Sequence, residues 1–212
     1  MLLARQLRAG LSCLIRGGEL RQMPGIDSKS EHAEPPWVGE VIHFWFEELA
    51  PSHWFTRTEA IDARIRDRCH KLHQQLLTNA LGAATPRSIL AAVIVLDQFS
   101  RNLFRGSPRA YSADPIARRL ARIAIDRRFD KVMNKTQRYF LYLPFEHGED
   151  RDDQVLALNL IKHLGNEDWT RIAVEHMVTI DRFGRFPHRN AVLNRPSTAD
   201  EIAFLKEPRN SF

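Results

Sequence analysis

RSILAAVIVLDQF, residues 87–99, is the stretch on which the fold turns. Its VIVL run has the composition of a strand, yet it sits inside a longer segment free of Gly and Pro whose flanks are helical. Length and flanks therefore decide for a helix. A helix that is apolar nearly all round is covered by neighbours on several sides. The stretch thus predicts the central helix of an all-α domain.

The segments on either side carry helical spacing too. Upstream, residues 57–77 place Ile61, Ile65, Cys69, Leu72 and Leu76 on one stripe, and residues 38–49 do the same with Val38, Val41, Ile42, Trp45 and Leu49. Asn79, Gly82 and Thr85–Pro86 mark a turn. Downstream, Asp114 reads as an N-cap with Pro115 at the first helical position. Further helices are expected over 137–147, bent or interrupted at Pro144, and over 152–164 and 166–183. A last short one opens at Ser197, with Asp200 completing a capping box. Seven or eight helices with short connections leave two architectures open: stacked antiparallel helix pairs or a closed bundle.

Composition sets the outer limits. A chain of 212 residues buries enough surface to need neither metal nor disulfide. Cys13 and Cys69 have no Cys-x-x-Cys spacing, which points to a reducing compartment. The net charge of +5 comes from mixed signs without a long like-charged block, so no nucleic-acid tail is indicated. No apolar run is long enough for a membrane span. Residues 1–23 read as a leader or N-terminal extension, with Arg5, Arg8 and Arg16 opposite a leucine stripe. Residues 24–36 read as a linker, and 37–212 as a single domain. The expected location is cytoplasmic, or mitochondrial or plastid if residues 1–18 are a transit peptide.

Candidate chemistry lies where polar residues interrupt apolar faces. Leu90, Ile94, Asp97 and Arg101 run from oil into an acid and its i+4 arginine: either a buried structural pair or a pocket wall. In YFLYLPFEHGED (139–150), Phe140, Leu143 and His147 share a face. His147 with Asp150 is a weak candidate for a divalent metal, short of a complete ligand set. Alternatively, the carboxylates cap the following helix. His176 lies on a core-facing stripe, either as a satisfied core side chain or as a proton carrier. In DRFGRFPHRN (181–190), Arg182, Arg185, His188 and Arg189 alternate with Phe183 and Phe186. That turn suits the grip of a phosphate or carboxylate, or of the domain's own carboxylates. Gly184 is placed to end the preceding helix in the left-handed conformation.

Four stretches together resemble the bacterial and plant family known as domain of unknown function 924. They are VIHFWFEEL with HWF at 53–55, LDQFSRNLFRGSPRAYSADP at 96–115, FLYLPFEHGEDRDDQ at 140–154, and RFGRFPHRNAVLNRPSTADEIAFL at 182–205. The resemblance covers about 37–212 and implies a tetratricopeptide-like superhelix of antiparallel helix pairs. Its characteristic polar positions fall here on Asp97, Gln98, Arg101, Asn102, Arg105, His147, Glu149, Asp150, His176, Arg182, Arg185, His188, Arg189 and Asn190. The chain departs from the pattern at Ser100 (usually proline), Gly148 (usually serine) and Asn194 (usually glycine). The loop around 78–86 is shorter than usual.

The leading functional expectation is a helical domain that binds a small anionic ligand or an acidic peptide terminus through a His/Asp/Arg cluster. That cluster comprises Asp97, Arg101, His147, His176, Arg182, Arg185, His188 and Arg189. A metal-assisted hydrolase using His147, Asp150 and His176 is the enzymatic alternative, and a protein-interaction scaffold is the third. No cofactor is expected beyond a divalent metal in the hydrolase reading. No glycine-rich phosphate loop or dinucleotide fingerprint is present.

Overall fold

The computed structural model describes residues 34–80 and 83–207; the leader, most of the linker and part of the 78–86 loop lie outside them. The described residues are all-α and contain no strand. Helix α1 (Pro36–His43) runs into a π-helical turn, Phe44–Glu48. Helix α2 spans Glu59–Asn79. Helix α3 (Pro86–Val93) continues through a second π-helical segment, Ile94–Phe99, into α4 (Ser100–Leu103). Then follow α5 (Asp114–Asp126), α6 (Lys135–Glu146), α7 (Arg151–Lys162), α8 (Glu167–Phe183) and α9 (Ala199–Leu205).

The central position predicted for residues 87–99 holds. Every residue from Ser88 to Ser100 is buried, and Val93 through Leu96 are wholly inaccessible. Helix α3 packs against α1, α5 and α6, while the π segment touches α2, α5 and α6. Around it Trp45, Phe99 and Phe140 meet edge to face at 5.4 Å, the geometry that aligns ring edges with ring faces.

Local signals explain the helix ends and correct several boundaries. Thr85 caps α3 with Ser88 in a reciprocal pair, so Pro86 opens the helix rather than belonging to the turn. Pro144 does not interrupt α6, which runs through it to Glu146. Gly184 closes α8 at φ 66°, as expected from a residue without a Cβ. The capping box of α9 is formed by Thr198 with Glu201, not by Ser197 with Asp200. Asp114 is the first residue of α5 rather than its N-cap, because its carboxylate is engaged elsewhere. Asn194 sits at φ 54°, a backbone region that glycine enters freely and asparagine tolerates.

Candidate functional site

A cleft of about 480 Å³ opens where the π segment and α4 meet the C-terminal end of α6, the middle of α8 and the turn at Pro187–Arg189. Its lining includes Gln98, Arg101, Asn102, Arg105, Tyr111, His147, His176, His188 and Arg189, with Trp54, Phe55 and Arg57 from the α1–α2 connection. Four arginines and three histidines line it and no carboxylate does, so the wall attracts anions. The acids stand one layer back.

Asp97 is fully buried. One of its oxygens accepts the Nδ1–H of His147 at 2.8 Å and the other accepts from Gln98 Nε2 at 2.6 Å. Burial alone would raise its pKa. The charges of His147 and Arg101 and these two hydrogen bonds prevail, holding the carboxyl down at about 2. The expected Asp97–Arg101 pair is present but loose, at 3.6 Å. Arg101 instead makes a two-pronged bond to Asp114 at 2.6 and 2.9 Å and donates to the Ala110 carbonyl. The wider π turn lies between Asp97 and Arg101, and ordinary α-helical spacing does not apply across it. Asp62 of α2 likewise takes Arg105 at 2.7 and 2.8 Å and Asn102 at 2.8 Å.

His147 follows directly after α6, with its ring lining the cleft. His176 stands 6.4 Å from it, ring centre to ring centre. Burial drives the His176 imidazole down to about 3, despite an Nδ1–H bond to the Ile172 carbonyl at 2.9 Å, so it is neutral. Burial, then Arg189, lowers His188 to about 3 as well. Behind His176 lies Glu146, only 2% exposed, with an oxygen 3.7 Å from His176 Nδ1. Burial, and secondarily Asp97, pushes this carboxyl up to about 8, so near neutrality it is a protonated acid.

Arg189 is 6% exposed and lies between the Tyr111 and Phe186 rings at 4.6 and 4.5 Å. It donates from Nη1 to the His147 carbonyl at 3.0 Å. Among the described residues its Nε has no hydrogen-bond partner and no carboxylate pairs with it. Burial and then Arg101 bring its pKa down to about 10, which leaves it charged at neutral pH.

The remaining sequence candidates go elsewhere. Arg185 is locked to Glu201 at 2.6 and 2.9 Å and to the Pro196 carbonyl. Arg182 is exposed, with its guanidinium over the Phe183 and Phe204 rings. Neither lines the cleft: Arg182 stands in the last turn of α8 on its exposed side, and Arg185 lies beyond the Gly184 stop, held by Glu201. Asp150 caps α7 by accepting from Asp152 and Asp153 and is not in the wall of the cleft that His147 and His176 line. No group of three His, Cys, Asp or Glu side chains among the described residues is arranged to hold a metal ion. Glu149 is also structural: it accepts the Phe186 N–H and both terminal nitrogens of Arg195. Buried Asn190 ties Arg195 to Ser197.

Sequence reasoning did not single out Tyr111, Asp62 or the Trp54–Arg57 wall. The pattern offered one hint, since Asp62 and Asp114 are acids on helices whose other residues read as core or solvent. A β-carbon at Gly148 would stand 3.1 Å from both Asp153 Oδ2 and the Phe145 carbonyl oxygen. The neighbours would have to give way for the serine usual at that place.

No curated protein matches the chain. Among solved structures it is similar to one titled "Structure of Protein of Unknown Function ATU0120 from Agrobacterium tumefaciens". That similarity amounts to 38% identity and a TM-score of 0.73, over 80% of this chain and 96% of the other. The family model described as "Bacterial protein of unknown function (DUF924)" matches residues 41–209, a span holding every cleft residue named above, and the chain belongs to that family.

Proposed function

We propose that the protein binds a small anion, carrying a carboxylate or phosphate group, in the cleft beside Arg189. The observation that carries this reading is a guanidinium 6% exposed, charged, and without a carboxylate partner among the described residues. Asp114 and Glu149 act on it only from a distance; a buried charge without a direct counter-ion is costly, and a bound anion would supply one. Arg101 and Arg105 already hold Asp114 and Asp62, so they contribute field and shape more than free donors. The volume, about 480 Å³, suits a small molecule, or the last residues of a peptide ending in a carboxylate.

The scaffold reading, tied to tetratricopeptide-like stacking, expects a broad apolar concave face. Among the described residues the large exposed apolar side chains are Phe55, Val132, Val155, Val174, Val178 and Ile202, of which only Val174 and Val178 share an element, α8. This favours a compact polar cleft over an extended docking surface.

Calorimetry with inorganic phosphate and a small dicarboxylate tests the proposal. Arg189→Met is expected to weaken binding about tenfold to hundredfold, the worth of one charge-assisted hydrogen-bond set. Arg185→Met should leave affinity unchanged. Equal losses in both variants, or no binding by the wild type, would reject the assignment.

A further inference from the structure

We propose that this cleft also transfers protons: His147 Nε2 takes a proton from a hydroxyl or water beside the bound anion and returns it, with Asp97 as positioning residue. The inference rests on the anion-binding reading and extends it from recognition to chemistry. The substrate class is a small carboxylate or phosphate that carries a hydroxyl, or a bond open to water, next to its charged group.

The geometry of the Asp97–His147 pair carries it. An ionised carboxylate only accepts, so the 2.8 Å contact puts the imidazole proton on Nδ1 and the lone pair on Nε2. Nε2 makes no hydrogen bond to the described residues and is not among their buried unpartnered atoms, while the ring lines the cleft. The lone pair therefore faces the space reserved for the ligand. Arg189 donates to the main-chain oxygen of this same histidine at 3.0 Å, which places the anion-seeking cation and the base side by side. His176 differs: its Nδ1 leans on a backbone carbonyl, which steadies a ring but does little to balance a new positive charge.

The proton balance is simple. The donor O–H bond breaks, its electron pair stays on oxygen, and an N–H bond forms at Nε2. Asp97 remains ionised and offsets the imidazolium, and the proton's return restores the pair. No oxidant or reductant enters.

Gln98 makes the pair testable. Its amide nitrogen donates to the second Asp97 oxygen, so in Asp97→Asn the side-chain oxygen must face Gln98. The new amide nitrogen then faces His147, Nδ1 becomes an acceptor, and the proton moves to Nε2. The experiment combines ¹⁵N spectra of the histidines in the full chain at about pH 8, where free imidazoles are neutral, with carbethoxylation by diethyl pyrocarbonate.

The wild type should show His147 with Nδ1 protonated, should label at His147 before His176 and His188, and should be shielded by bound inorganic phosphate. Asp97→Asn should show the opposite tautomer and lose most His147 labelling. Should that variant fail to fold, the wild-type tautomer and labelling order decide alone. An Nε2-protonated His147 in the wild type, or earlier labelling of the other two histidines, overturns the inference. So does labelling that bound phosphate fails to slow. If calorimetry finds no phosphate binding, the recognition reading falls by itself, and tautomer and labelling order still judge the pair.

Discussion

Arg185 and Arg189 are four residues apart, in the same basic, aromatic turn, and the molecule treats them in opposite ways. Arg185 meets Glu201 through two short bonds, and with Glu149–Arg195 it clasps the C-terminal segment onto the helices. Arg189 points inward between two rings and meets no carboxylate among the described residues. One cation is spent on architecture and the other is held in reserve. A guanidinium's meaning is set by what the rest of the chain brings to it.

The sharpest way to break this contrast is to attack the clasp. Glu149→Gln strands Arg195 and weakens the acceptor for the Phe186 N–H. It should lower stability by about 3 kcal/mol, read as a fall of roughly 6–12 °C in Tm. A variant with unchanged Tm would make the clasp ornamental.

Arg189→Met should do the reverse. Replacing a buried charge that no described carboxylate pairs directly by a similar-sized apolar chain is expected to leave stability level or raise it by about 1 kcal/mol. Denaturant melts would show this, and a clear loss would mean that Arg189 has a hidden structural partner.

Next comes pH. His176 and His188 titrate near 3 when folded against 6.5 as free groups, so unfolded chains bind more protons below 6.5. Stability from these two is present above 6.5 and is lost as pH falls toward 3. Glu146 has the opposite sign. Its folded value near 8 lies above the ordinary 4.5, so its contribution is full below 4.5 and declines as pH rises to 8. Thermal melts should therefore peak near pH 6.5, and Glu146→Gln should flatten the decline between 6.5 and 8 and steepen the rise between 4.5 and 6.5. An unaltered alkaline limb would show that Glu146 is not the group responsible.

The smallest effect belongs to Arg182→Ala. An exposed guanidinium over two rings is worth about 0.5 kcal/mol. A Tm shift of more than a few degrees would mean that the α8–α9 corner matters more than its contacts suggest.

How much of this was legible follows the same division. Helical periodicity sees burial, so the buried run at 87–99, the stripe of 166–183 and the Gly184 stop were all readable from local spacing. Pairing across distance was not. Asp97 looked matched to Arg101 because they stand four residues apart, whereas its close partner is His147, fifty positions away. Asp114 looked like a cap because Pro115 follows it, while its carboxylate serves Arg101. Arg182 and Arg185 shared the composition of the site but not its direction: one sits on the exposed face of α8, the other beyond its end against Glu201. Asp62 was invisible for the same reason: nothing near it in the chain announces Arg105.

The π-helical segment at Ile94–Phe99 has a consequence of its own. A π turn holds one residue more than an α turn in the same span, so it acts as a phase slip built into the central rod. Were the same residues to rewind as regular α-helix, with none removed, everything after them would swing by about 100°. Asn102 and Arg105 would then leave Asp62, and Arg101 would leave Asp114, all at one stroke. The orientation of half the cleft wall thus hangs on one surplus peptide unit in the driest part of the molecule.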